Sequence, residues 1–90
     1  MIAVEPLSKD EWLVTVKAHT KTQHRVRVTA DDLRRFGSED VSAERLLEAS
    51  FRFLLDRESN TSILSSFDLP VIGRYFPEYE KEIRRYLASR

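Results

Sequence analysis

The sequence predicts an α+β domain: an N-terminal antiparallel β-hairpin packed on a long central helix and completed by short C-terminal helices. Three observations carry this. Residues 12–18 and 23–29 alternate polar and apolar with a period of two, as half-buried strands do. Residues 42–58 place apolar side chains at helical spacing. The order, strands first and helices afterwards, separates this class from a parallel α/β sheet.

In the first strand Trp12, Val14, Val16 and Ala18 point one way, and Leu13, Thr15, Lys17 and His19 the other. In the second, His24, Val26 and Val28 oppose Gln23, Arg25, Arg27 and Thr29. The polar stretch between them lacks glycine, so a loop longer than a tight two-residue primed turn is expected. Ile2 and Val4 can add a third, edge strand, which Pro6 stops because proline cannot donate to a ladder. Thr29 is a fitting N-cap for a short helix with Asp31 and Asp32 at its positive end, Leu33 and Phe36 on its inner face, and Gly37 at its close.

Ser42 caps the central helix, which the pattern extends to Glu58. Its apolar arc holds Leu46, Leu47, Phe51, Phe53 and Leu54, with Leu55 at the edge. That arc is wider than contact with one surface needs. Two layers are therefore expected against it: the hairpin on one side, and the C-terminal helices or a second subunit on the other. Glu44, Arg45, Glu48, Arg52 and Asp56 form the polar side, with Glu48–Arg52 and Arg52–Asp56 at i,i+4 spacing. Beyond a loop at 59–62, Ile63, Leu64 and Phe67 suggest a short helix. Asp68 is then placed to cap the next helix, with Pro70 in its first turn. Pro77 opens the last helix, whose stripe is Tyr79, Ile83, Tyr86 and Leu87.

Ninety residues make one domain, 1–90, with a thin core that dimerisation would enlarge. At 41% apolar and 33% charged, the chain fits neither a disordered nor a membrane-embedded class. Residues 1–6 lack the apolar stretch of a secretory signal, and the absence of cysteine excludes disulfides and thiol chemistry; both fit a cytoplasmic protein. Net charge is zero but uneven. Residues 12–29 contain no acid, against Lys17, Lys21, Arg25 and Arg27, whereas residues 30–90 hold twelve acids and ten bases.

No catalytic constellation is legible. There is no Gly-x-Ser-x-Gly, and two glycines cannot build a phosphate-cradling loop. His19 in the hairpin loop and His24 at the sheet rim have no neighbouring carboxylate or cysteine to complete a metal site. The pairs Asp31-Asp32 and Glu39-Asp40 fall at helix starts, where the dipole accounts for them. Neither a cofactor nor a metal is expected, and the leading reading is a non-enzymatic binding or regulatory module working through protein–protein contact or self-association. The alternative is a nucleic-acid-associated regulator that contacts phosphates through Lys17, Lys21, Arg25 and Arg27, although that face lacks stacking aromatics. A helix-turn-helix over residues 61–75 is a weaker candidate, since its second helix offers only Arg74 to base edges.

Residues 67–79 stand apart. They hold two of three prolines and four of nine aromatic residues. Leu69, Ile72, Tyr75, Phe76 and Tyr79 are too many to share one small core, so they are the candidate interaction surface. The competing reading is a core elbow in which Gly73 allows close helix packing. The same segment, Phe-Asp-Leu-Pro-Val-Ile-Gly-Arg-Tyr-Phe-Pro-Glu-Tyr, resembles the ending of short bacterial proteins with an N-terminal hairpin. That resemblance implies a stand-alone prokaryotic α+β domain and carries no activity with it.

Overall fold

Period-two patterning produces three consecutive antiparallel strands: β1 (Ile2–Pro6), β2 (Glu11–Lys17) and β3 (Lys21–Arg27). The computed structural model describes residues 1–38 and 40–88; Glu39, expected at a helix start, lies outside them. The expected third strand is present, and Pro6 is its last residue. Val14, Val16, Val26 and Val28 are buried, as the alternation requires. The β2–β3 connection is three residues long, consistent with the missing glycine.

Helices follow: α1 (Ala30–Phe36), α2 (Ala43–Leu55), α3 (Val71–Tyr75) and α4 (Tyr79–Ala88). Thr29 closes a full capping box on α1, its hydroxyl accepting from the Asp32 N–H while the Asp32 carboxylate accepts from the Thr29 N–H. Ser42 caps α2 through the Arg45 N–H. This central helix has 13 residues and stops at Leu55, short of the expected Glu58. Gly37 ends α1 at negative φ, so left-handed geometry is not its reason. A side-chain carbon there would stand 3.0 Å from the Leu33 carbonyl oxygen, which the Gly37 N–H itself bonds at 2.9 Å.

The layers are sheet, α2, then α4. Residues two apart on a helix point about 200° apart, so Phe51 and Phe53 face opposite ways. Phe51 lies 5.3 Å from the His24 ring and 6.2 Å from Phe67, on the sheet side. Phe53 meets Phe76, Tyr79 and Tyr86 at 5.9, 5.3 and 5.6 Å. The second layer against α2 is therefore this chain's own C-terminal helices. Polar contacts reinforce it: Arg45 and Arg52 donate to the Leu87 and Tyr86 carbonyls, placing two cations at the negative end of α4. Buried Tyr79 shares a 2.7 Å hydrogen bond with Ser50, and burial pushes its phenol pKa up.

One element differs from expectation. Ile63, Leu64 and Phe67 form no helix. A 3-10 turn (Asn60–Ser62) leads to a fourth strand, β4 (Ser66–Asp68), that pairs in parallel with β3. The sheet order is thus β1-β2-β3-β4, mixed at one edge. Asp68 belongs to this strand and caps nothing; Pro70 stands at the start of α3 with no side-chain cap. The same finding removes the helix-turn-helix over 61–75. Period two cannot be read from three residues, which is why β4 was not visible.

A buried polar chain welds β4 to the hairpin. His24 Nδ1 lies 2.7 Å from the Leu64 carbonyl and Nε2 lies 2.9 Å from the Thr22 hydroxyl. Asn60 donates to both the Thr20 carbonyl and the Thr22 hydroxyl, each at 2.9 Å. The Leu64 carbonyl can only accept, so His24 donates to it through Nδ1–H. His24 is thus a buried structural residue, not one at the sheet rim. Removing a member would strand its partner, at a cost of about 1–3 kcal/mol.

Gly73 does not mediate close packing either, since a side-chain carbon there would meet nothing within 4 Å. It sits mid-helix in α3 at ordinary φ. Gly73→Ala is therefore expected to stabilise the fold by about 0.5–1 kcal/mol, read as a raised urea midpoint. A destabilised variant would mean that α3 needs the extra backbone freedom.

Candidate functional site

The expected interaction surface on residues 67–79 is corrected by its burial. Leu69, Ile72 and Tyr79 are core residues, and Phe76 is half-buried against Phe53. Only Tyr75 stands out, 65% exposed. The residues did fit one small core, because α2 offers two apolar faces, and Phe53 on the second meets Phe76 and Tyr79. What is left for function lies on the sheet.

The helices cover one face of the sheet and leave the other to solvent. Strand register places Ala3, Glu5, Glu11, Leu13, Thr15, Lys17, Lys21, Gln23, Arg25, Arg27, Ser66 and Asp68 on that open face. All four candidate cations are exposed there, but they do not act as one patch. Arg27 stands in register between Glu11 on β2 and Asp68 on β4, two acids that offset its charge although it forms no ion pair with them among the described residues. The positive end is the hairpin tip, where Lys17 and Lys21 stand directly opposite each other, exposed His19 lies in the loop between them, and Arg25 sits further along β3. None of the three cations takes part in an ion pair among the described residues. Like charges directly opposed across strands are unfavourable, so the tip breaks a local rule of sheet design.

A second feature was not anticipated as a site. Met1 and Lys17 exchange both backbone hydrogen bonds, at 2.9 and 2.8 Å, and the Leu7 N–H bonds the Glu11 carbonyl. Antiparallel ladders alternate, so Ala3 and Glu5 also bond to β2. The N–H and C=O groups of Ile2 and Val4 then point out of the sheet, with the Pro6 carbonyl. Pro6 occupies an outward position, where its missing N–H breaks no bond to β2. Among the described residues nothing pairs with this strand edge.

Beside that edge runs a groove of about 270 Å³, lined by Ile2 and Val4 from β1 and by Ser42, Glu44, Arg45 and Glu48 from α2. Ile2 and Val4 turn their side chains inward and are half-buried. Glu44 and Glu48 are exposed, one helical turn apart, and neither joins an ion pair among the described residues. The sequence signals were present: an edge strand ended by proline, and an i,i+4 pair of acids on the helix that packs against it. The groove itself follows from tertiary placement and could not be read locally.

The chain was also compared with known protein families, curated proteins and solved structures, and none of them matches it.

The opposed lysines generate a stability prediction. Lys21→Glu converts a like-charge pair into an opposite-charge pair and should stabilise the domain by a few tenths of a kcal/mol at low salt. The gain should shrink in high salt, measured by urea denaturation at two ionic strengths. A loss of stability at low salt would mean that the two ammonium groups are held apart by contacts that favour lysine.

Proposed function

We propose that this protein is a non-enzymatic binding module that captures an extended protein segment by strand addition along β1. The free edge carries the reading: the outward N–H groups of Ile2 and Val4 lie beside a groove into which alternate side chains of an added strand can enter. In strand addition, main-chain hydrogen bonds supply affinity and pockets for alternate side chains supply selectivity. Natural sheets blunt exposed edges with charge, bulges, proline or a cover. Here Pro6 blunts only the far end, and α2 flanks the edge without closing it. This keeps protein–protein contact as the mode of action and moves it from residues 67–79 to the opposite side of the molecule.

Val4→Pro provides the test. It removes an outward N–H and no bond to β2, so the domain should stay folded. Random peptides displayed on phage and selected on the native protein should be enriched, and the enriched peptides should lose binding to Val4→Pro by an order of magnitude or more. Selection that yields no binders, or binders indifferent to Val4→Pro, would contradict the reading.

A second reading has its own observation, the unpaired cations of the hairpin tip. Lys17, Lys21 and Arg25 share one exposed face and can neutralise phosphate groups, with affinity that falls as salt rises. Retention on heparin at low salt, lost in the Lys17→Glu/Lys21→Glu/Arg25→Glu variant, would favour a nucleic-acid partner. Absence of retention would remove it.

A further inference from the structure

We infer that the segment captured at β1 is cationic, carrying Lys or Arg at alternate positions, and is not a second copy of this chain. The inference rests on the strand-addition reading above and adds the chemistry of the partner. Ile2 and Val4 of β1 border the same groove as Glu44 and Glu48 of α2. Residues two apart on a strand advance about 6.7 Å. Residues four apart on a helix advance about 6 Å. The two spacings match, so successive inward side chains of an added strand can meet Glu44 and then Glu48.

Both carboxylates are available to meet them. Arg52, at i+4 from Glu48, instead donates to the Tyr86 carbonyl at 3.0 Å. Arg45 lines the groove, but its guanidinium reaches the Leu87 carbonyl on the α4 side. The groove therefore presents two carboxylates that join no ion pair among the described residues, beside the Ile2 and Val4 side chains, which favours inward ammonium or guanidinium groups with long alkyl stems.

The same charges argue against self-pairing. Two copies of β1 could align about Ala3, with Ile2 of each bonding Val4 of the other, so backbone geometry alone permits a dimer. That arrangement would bring Glu44 and Glu48 of both copies together, and the added strand itself, Ile-Ala-Val-Glu-Pro, carries no cation to meet them. The opposite edge, β4, reads Ser-Phe-Asp and offers none either. Neither edge strand of a second copy complements the groove.

Three synthetic peptides decide this: Thr-Lys-Thr-Lys-Thr-Lys-Thr, its Glu counterpart and its Val counterpart, titrated calorimetrically into the full chain at low salt. The Lys peptide should bind at least about tenfold tighter than the Glu peptide. The Glu44→Lys/Glu48→Lys variant should reverse that order, and Val4→Pro should weaken all binding. Equal affinity for the three peptides, lost in Val4→Pro, would overturn the charge inference and leave the edge reading standing. Binding of the Lys peptide that ignores Val4→Pro would overturn both. No binding by any peptide, or sedimentation of the protein alone as a dimer that Val4→Pro dissociates, would overturn the cationic partner.

Discussion

The architecture depends on one helix being apolar on two opposite sides. Phe51 and Phe53 are separated by a single residue, which on an α-helix turns them to opposite faces. One packs under the sheet against His24 and Phe67; the other closes against Phe76, Tyr79 and Tyr86. A 90-residue chain thereby supports a three-layer arrangement in which the middle layer is shared. Losing either ring would open a cavity at the centre of a small core, a change of about 3–5 kcal/mol in comparable sites. In a domain of typical marginal stability that is a large fraction of the total.

This arrangement explains why the aromatic excess of residues 67–79 was misleading as a sign of a docking surface. Counted against one core, those side chains are too many. Counted against both sides of α2, Leu69, Ile72, Phe76 and Tyr79 have places, and only Tyr75 is left exposed. The width of the α2 arc was legible in the sequence and did predict two contacting layers. Whether the second layer was this chain or another copy was not legible, because helical spacing shows that a face is buried and not what buries it. The caps at Thr29 and Ser42 and the three N-terminal strands were legible because each rests on local chemistry. Strand β4 was hidden because its pairing is long-range: Arg25 and Arg27 meet residues about forty positions away, guided by the His24–Thr22–Asn60 chain. The candidate site was readable only in part. The basic residues could be assigned to an outward face from alternation, but their separation into a balanced Arg27 and an unbalanced tip needed strand register.

With the helices absorbing the apolar side chains, the sheet becomes the part of the molecule with unmet bonding capacity. Its two edges differ. The β4 edge is three residues long, and short edges resist unwanted pairing. The β1 edge is five residues long, presents regular donors and acceptors, and runs beside a groove with two acids that join no ion pair among the described residues. The fold also makes that edge rigid, since β1 is held by β2 along its length and by the core through Ile2 and Val4. A pre-formed edge lowers the ordering cost of capturing an extended segment. Ion pairs elsewhere serve the fold: Arg35 hydrogen-bonds Glu80 and holds its carboxyl below the usual range, and Glu78 is lowered by its own backbone N–H and by Arg57. Their contribution is present above the ordinary carboxylate range and is lost as pH falls through the lowered values.

The central claim, that β1 is an open and alternately presented edge, is tested most directly by residue-resolved amide exchange on the protein alone. Ile2 and Val4 should exchange quickly while Ala3 and Glu5, bonded to β2, are protected. Protection of all four at low protein concentration would show that the edge is already covered, and would contradict the account.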